Sequence, residues 1–277
     1  MNAASLVLTT TEGPVRVVTL NRPDTRNALS IALQRELGTA LRSADDDKSV
    51  ACVVLTGADP AFCAGLDLKE LGQGVAPGTL SSDDSPFAAL SNMRTPVIGA
   101  INGACATGGL ELALACDFLI ASDRARFGDT HARVGFTPAG GMSVLLPEAV
   151  GLRSAREMSL TGNFVNATEA HRLGLVNRVV DHEKLLPVTV ALGNDIASAD
   201  QDAVRALKSL YDRGPRLTKA DALALELEVF ASRRLSPETI ESRRASLIDR
   251  NRAQPTREME EAAAQEVAYP EDETNEG

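Results

Sequence analysis

The chain has 277 residues, enough for one sizeable core with an appended element, and carries a net charge of −10 at neutral pH. That charge argues against a nucleic-acid partner, which needs a basic face. Hydrophobic residues make up 44% and charged residues 24%, an ordinary globular balance, and no apolar run approaches the roughly 20 residues of a membrane helix.

Two β-like runs open the chain, Ser5 to Thr10 and Val15 to Leu20, and the turn Glu12-Gly13-Pro14 between them predicts a hairpin. Leu33, Leu37, Ala40 and Leu41 then recur at helical spacing behind Ser30, a candidate N-cap. The short apolar runs Ala51 to Thr56 and Pro96 to Ile101 predict buried strands, and Asp117 to Ala121 a third. Leu110 to Ala115 suits a buried helix, so strand, glycine turn and helix alternate as in an α/β fold with parallel strands. A segment rich in glycine, proline and serine, Gly72 to Pro86, predicts a loop of the kind that covers sites. From Asp200 the pattern is helical, with Leu223, Leu227 and Phe230 spaced along one face, and the acidic end predicts a disordered tail. The N-terminus has no basic, long apolar or arginine-rich leader, so a cytoplasmic location is expected.

Cys52, Cys63, Cys105 and Cys116 stand apart, with no C-x-x-C pair, which predicts buried reduced thiols and no metal site. Three segments carry candidate chemistry: Ala61 to Leu71 (A-F-C-A-G-L-D-L-K-E-L), Ile101 to Asp117 (I-N-G-A-C-A-T-G-G-L-E-L-A-L-A-C-D) and Arg124 to Gly141. Gly65 permits close backbone approach. Glu111 is a lone carboxylate between Leu110 and Leu112, a place where burial requires a partner or a function. Asp129 follows Gly128 and reads as a turn-capping carboxylate. A G-x-S-x-G elbow is missing, with Ser122 and Ser143 outside the glycine motifs, which argues against a serine peptidase. The mixed charge of L-Q-R-E-L-G-T-A-L-R-S-A-D-D-D argues against an RNA-binding helix.

In order and spacing these segments resemble the crotonase family, also called the enoyl-CoA hydratase/isomerase family. The resemblance begins at L-N-R-P-D-T-R-N-A-L-S (Leu20 to Ser30), runs through the segments above and C-D-F-L-I-A, and includes L-T-G-N-F-V-N-A-T-E-A-H-R-L-G-L-V-N-R-V-V (Leu160 to Val180). It covers roughly Val15 to Val180, with weaker similarity to about Pro255. The resemblance implies an α/β fold, a crotonase-type spiral of ββα repeats, with a C-terminal helical trimerisation region. Residues 1–199 would form the core with the acyl-CoA site, 200–256 the helical region and 257–277 the acidic tail. A homotrimer or dimer of trimers is implied, with an acyl-CoA thioester as partner and no separate cofactor, since coenzyme A is part of the substrate.

By motif position, the backbone N–H groups of Ala64 and Gly108 would hold the thioester oxygen and stabilise its enolate. Arg26, Ala28, Leu29, Ala64, Gly65, Leu66, Asp67, Leu68 and Gly108 would bind coenzyme A and substrate. Leu71, Leu110, Val134, Phe136 and Met142 would line the acyl pocket, with core packing as the alternative. Hydratases of the family hold water between two glutamates. Glu111 matches the first, in G-G-L-E-L, whereas F-G-D-T-H places His131 where the second is expected. Three readings stay open. Glu111 activates water and His131 or an ordered water handles the α-carbon proton, hydrating an enoyl-CoA; the site performs another enolate reaction, such as isomerisation, dehydration or retro-aldol cleavage; or His131 is structural and Asp129 or Glu111 does the acid–base work. A non-catalytic acyl-CoA binder is a further alternative. Two other departures bear on substrate: M-S-V-L-L-P (Met142 to Pro147) after P-A-G-G, and Ser242 and Ser246 in the last helix.

Overall fold

A computed structural model describes residues 5–74 and 84–253. The expected acidic tail and the centre of the glycine-rich segment, 75–83, lie outside the described residues. The chain forms two compact units, with the boundary in the sequence between Pro215 and Arg216. Helix α9 (Gln201–Arg213), expected with the C-terminal helices, therefore falls in the first unit.

The first unit is built on a six-stranded sheet in the order β1 (Val7–Glu12), β2 (Val15–Leu20), β3 (Cys52–Gly57), β5 (Val97–Ile101), β7 (Phe118–Ser122), β10 (Arg178–Val180). The first two strands form the expected antiparallel hairpin; the remaining neighbours pair in parallel. A second sheet holds β4 (Ala61–Cys63), β6 (Ala104–Ala106), β8 (Arg126–Gly128) and β9 (Val165–Asn166). Each central strand of the large sheet is thus followed by a short strand of the small one, β3 by β4, β5 by β6 and β7 by β8. Helices α2 (Leu68–Gly72) and α3 (Pro86–Asn92) follow the first pair and α4 (Gly108–Leu114) the second, which yields the spiral of ββα turns.

The apolar runs read as strands because both faces of the large sheet are buried. Val53, Leu55, Val97, Ile101, Leu119 and Ala121 face one core with α1 (Ile31–Asp46), α3 and α4. Their alternates Cys52, Val54, Ile98, Ala100 and Ile120 face a second core under α8 (Leu185–Ala197), which contributes Leu185 and Val190. Ser30 caps α1 as expected, its hydroxyl accepting from Leu33 N at 3.1 Å. Three of the cysteines are buried and Cys116 is partly so; burial pushes the Cys63 thiol up to about 12. Helices α5 (Met142–Val150), α6 (Leu152–Thr161) and α7 (Ala167–Arg172) complete this unit. The second unit holds α10 (Lys219–Ser232) and α11 (Pro237–Ala253).

Candidate active site

The ends of the ββα turns converge on a cleft of about 570 Å³ lined by the segments that lead into α1, follow β4, enter α4 and follow β8, with Phe87 of α3. Its backbone is held by unusual local conformations. Arg26 and Asn27 both adopt left-handed φ angles, 52° and 55°. Asn27 is fully buried and clamps this bend: Nδ2 donates to Ala58 O at 2.8 Å and Ala61 O at 2.7 Å, while Oδ1 accepts from Arg22 N at 2.8 Å. Asparagine tolerates left-handed backbone, and three fixed bonds offset the strain.

The bend decides which amides remain free. Ala64 N donates to Arg26 O at 3.0 Å, so the amide expected to hold the thioester oxygen is already engaged. Leu29 and Leu66 form a parallel bridge in which Leu29 N donates to Gly65 O at 2.8 Å and Asp67 N donates to Leu29 O at 3.3 Å. An extended strand sends alternate amides to opposite edges, so Leu66 N–H points away from Leu29. Among the described residues it has no partner, nor does Gly108 N–H at the start of α4. The two lie close, since a Cβ built on Gly108 would stand 3.7 Å from Leu66 N. The free pair is therefore Leu66 and Gly108, which corrects the expectation for Ala64.

Gly65 is required for this approach. Its φ is +95°, and a Cβ there would overlap the Thr107 hydroxyl. Thr107 has φ 46° and ψ −118°, pinned by its N–H to Gly128 O at 3.0 Å and its hydroxyl to Ala64 O at 3.3 Å.

Glu111 is buried on α4 beside these amides. Its Oε1 accepts from Gly140 N at 2.6 Å and Met142 N at 3.4 Å, which leaves Oε2 toward the cleft. Gly140 is needed as glycine, because a Cβ would come within 2.9 Å of the Glu111 carboxyl carbon and of the Phe87 ring. His131 opens a 3₁₀ turn (His131–Val134) after β8 and is also buried. Its Nδ1 lies 2.6 Å from Asp129 Oδ1, and Nε2 faces Glu111 Oε2 at 3.7 Å. The bond to Asp129 raises the His131 pKa above the ordinary value and burial opposes it, while the nearby Asp129 and Glu111 charges add to the rise. Burial pushes Asp129 up, but bonds from the His131 ring, the Ser159 hydroxyl and the His131 amide outweigh it and hold the carboxyl low.

Of the other expected residues, Arg26, Ala28, Leu29, Ala64, Leu66, Asp67, Leu68, Leu71, Val134 and Phe136 line the cleft. Leu110 and Met142 do not; both are buried in the main core. Adjacent helical residues point about 100° apart, so with Glu111 turned to the cleft Leu110 turns inward. Asp67 does more than line the wall. It caps α2 by accepting from Lys69 N at 3.0 Å and pairs with Arg22 Nη1 at 3.0 Å; although burial pushes it up, these partners hold it below the usual carboxylate range. Among the residues that line the cleft without having been expected there are Gln34, Phe87, Thr130, Thr137 and Gly140. Thr130, Thr137 and Gly140 lie in the candidate segment Arg124 to Gly141, whereas Gln34 and Phe87 had no signal in the sequence.

The two-sheet spiral, with two free amides beside a buried carboxylate and a histidine, defines an enzyme of the crotonase class. A model of the enoyl-CoA hydratase/isomerase family matches residues 10–247. A "Probable enoyl-CoA hydratase" of Rhizobium meliloti is 40% identical over 227 residues, 82% of this chain and 88% of the relative. The short-chain-enoyl-CoA hydratase of Clostridium acetobutylicum is 37% identical, over 79% and 85% of the two chains. Among solved structures, an enoyl-CoA hydratase from Mycobacterium tuberculosis H37Rv is 50% identical with a TM-score of 0.70, covering 82% of this chain and 97% of that one. One from Geobacillus kaustophilus HTA426 is 32% identical with a TM-score of 0.81, covering 91% and 97%. The chain belongs to the enoyl-CoA hydratase/isomerase family.

Proposed function

We infer that the chain is an enoyl-CoA hydratase that adds water across the 2,3 double bond of a 2-enoyl-CoA. The observation that carries this reading is the facing of Glu111 Oε2 and His131 Nε2 at 3.7 Å, beside the unpartnered amides of Leu66 and Gly108. That separation is too long for a direct hydrogen bond but lets both atoms grip one water. The thioester oxygen accepts from the Leu66 and Gly108 amides. Glu111 takes a proton from water as its oxygen bonds to C3, and the double-bond electrons move onto the thioester oxygen as an enolate. Pre-aimed amides stabilise that charge, each worth about 3 kcal/mol of barrier. The enolate then collapses as C2 takes the proton from the His131 imidazolium. Passage of the Glu111 proton to His131 restores the pair, so the net change is one water added.

Arg26 and Lys69 line the cleft and give cationic partners to the anionic coenzyme A portion. No further cofactor enters this chemistry. A homotrimer, alone or paired into a hexamer, fits the exposed Leu223, Leu227 and Phe230 of α10, apolar surface that a symmetric assembly would cover. No helix among the described residues is long and apolar enough to cross a membrane, and a cytoplasmic location goes with this reading.

The test is incubation of the purified protein with 2-enoyl-CoA and 3-enoyl-CoA thioesters, with products identified by mass and chromatography. Gain of one water by 2-enoyl substrates is the expected result. Conversion of 3-enoyl to 2-enoyl without hydration would make the protein an isomerase, and binding without turnover would make it an acyl-CoA binder.

A further inference from the structure

The sequence offers Asp129 as a turn cap, and it is one: its Oδ1 accepts from His131 N at 3.1 Å. An Asx turn of that kind needs only the backbone amide. Here the same oxygen also meets the ring Nδ1 of His131 at 2.6 Å, at the short end for a charge-assisted bond. Asp129 is 1% exposed and His131 6%, so the bond has little competition from water.

We propose that Asp129 is a positioning residue for this reaction: it fixes His131 with Nδ1 as donor, so that Nε2 faces Glu111. Neutral imidazole carries one N–H, on either nitrogen, and the partner of one nitrogen decides the state of the other. A carboxylate accepts only, so it leaves Nε2 free to receive a proton from Glu111 and pass it to C2. The charged groups acting on the His131 ring among the described residues are Asp129, on its own segment, and Glu111, from α4. One anion therefore orients the imidazolium, while the other takes a proton from water and returns it to Nε2. The proposal rests on the hydratase reading for the reaction, but its geometry is independent of substrate.

The experiment compares wild type with Asp129→Asn in two readouts. The first is kcat and KM on a 2-enoyl-CoA; the second is the titration of the His131 ring nitrogens by 15N NMR without substrate. Asp129→Asn is expected to lower kcat about 100-fold with KM little changed, and to move the His131 titration to lower pH. Should that variant fail to fold, Asp129→Ser carries the test, since a serine oxygen can still accept from the His131 amide but offers the ring no carboxylate, with the same directions and a comparable loss of kcat. Wild-type kcat and an unmoved His131 titration in the variant tested would overturn the proposal. A wild-type protein that hydrates nothing, but whose His131 titration moves as described, would overturn the hydratase reading while leaving the orienting role of Asp129 intact.

Discussion

His131 Nε2 stands 3.7 Å from Glu111 Oε2, each side chain being less than a tenth exposed. At that distance the Glu111 charge favours the protonated His131 ring, yet the two side chains do not bond directly. The cleft therefore holds a ready acceptor and a ready donor side by side. Their opposite sides are fixed, Glu111 by the amides of Gly140 and Met142 and His131 by Asp129.

Glu111→Gln keeps the shape of the side chain and removes the base. Turnover should fall at least about 100-fold with thioester affinity little changed. Steady-state kinetics beside calorimetric titration of a non-reactive acyl-CoA separates the two effects. Near-normal turnover would remove Glu111 from the role of base.

Activity should decline at alkaline pH, because the proton for C2 comes from the His131 imidazolium. The bond to Asp129 raises His131 above its ordinary value near 6.5, so the alkaline limb of kcat should lie above that value. His131→Gln should abolish the limb along with most of the rate. A pH–rate profile of wild type and variant tests this, and an unaltered profile in the variant would make His131 structural.

The same bond ties stability to pH. A histidine whose folded pKa is raised contributes stability that is fully present below about pH 6.5 and is lost as pH rises through the folded value. Asp129 has a lowered folded pKa, so its contribution is present above about pH 4 and is lost as pH falls through that lowered value. The Tm difference between wild type and His131→Ala should therefore be widest at about pH 5 to 6 and narrow above neutrality. Thermal melts across that range supply the measurement, and a gap that widens with pH would contradict the sign.

Gly65→Ala should be severely destabilising. The left-handed backbone at φ +95° alone costs about 1–3 kcal/mol for a residue with a Cβ, and overlap with the Thr107 hydroxyl adds to it. Denaturant unfolding should show a lowered midpoint with an unchanged slope. A variant as stable as wild type would mean that the loop bearing Leu66 can adopt another path.

The strands were legible because burial on both faces leaves continuous apolar runs, as in Cys52 to Leu55 and Val97 to Ile101. Glu111 was legible because a lone carboxylate in an apolar helix needs a reason to be there. The amide assignment failed at Ala64 for a nonlocal cause. Whether its N–H is free depends on Arg26, remote in sequence, whose left-handed backbone turns a carbonyl onto it. For Leu110 and Met142 the sequence left pocket and core both open, because an apolar side chain suits either, and the fold places both in the core. Asp129 showed its turn role in F-G-D-T-H, whereas its bond to the His131 ring is set by a side-chain rotamer that spacing does not encode.

The most direct single measurement is a crystal structure with a 3-hydroxyacyl-CoA product bound. The account predicts the C3 hydroxyl within hydrogen-bond reach of both Glu111 Oε2 and His131 Nε2, and the thioester oxygen on the amides of Leu66 and Gly108. A hydroxyl remote from either side chain, or a thioester oxygen held elsewhere, would contradict it.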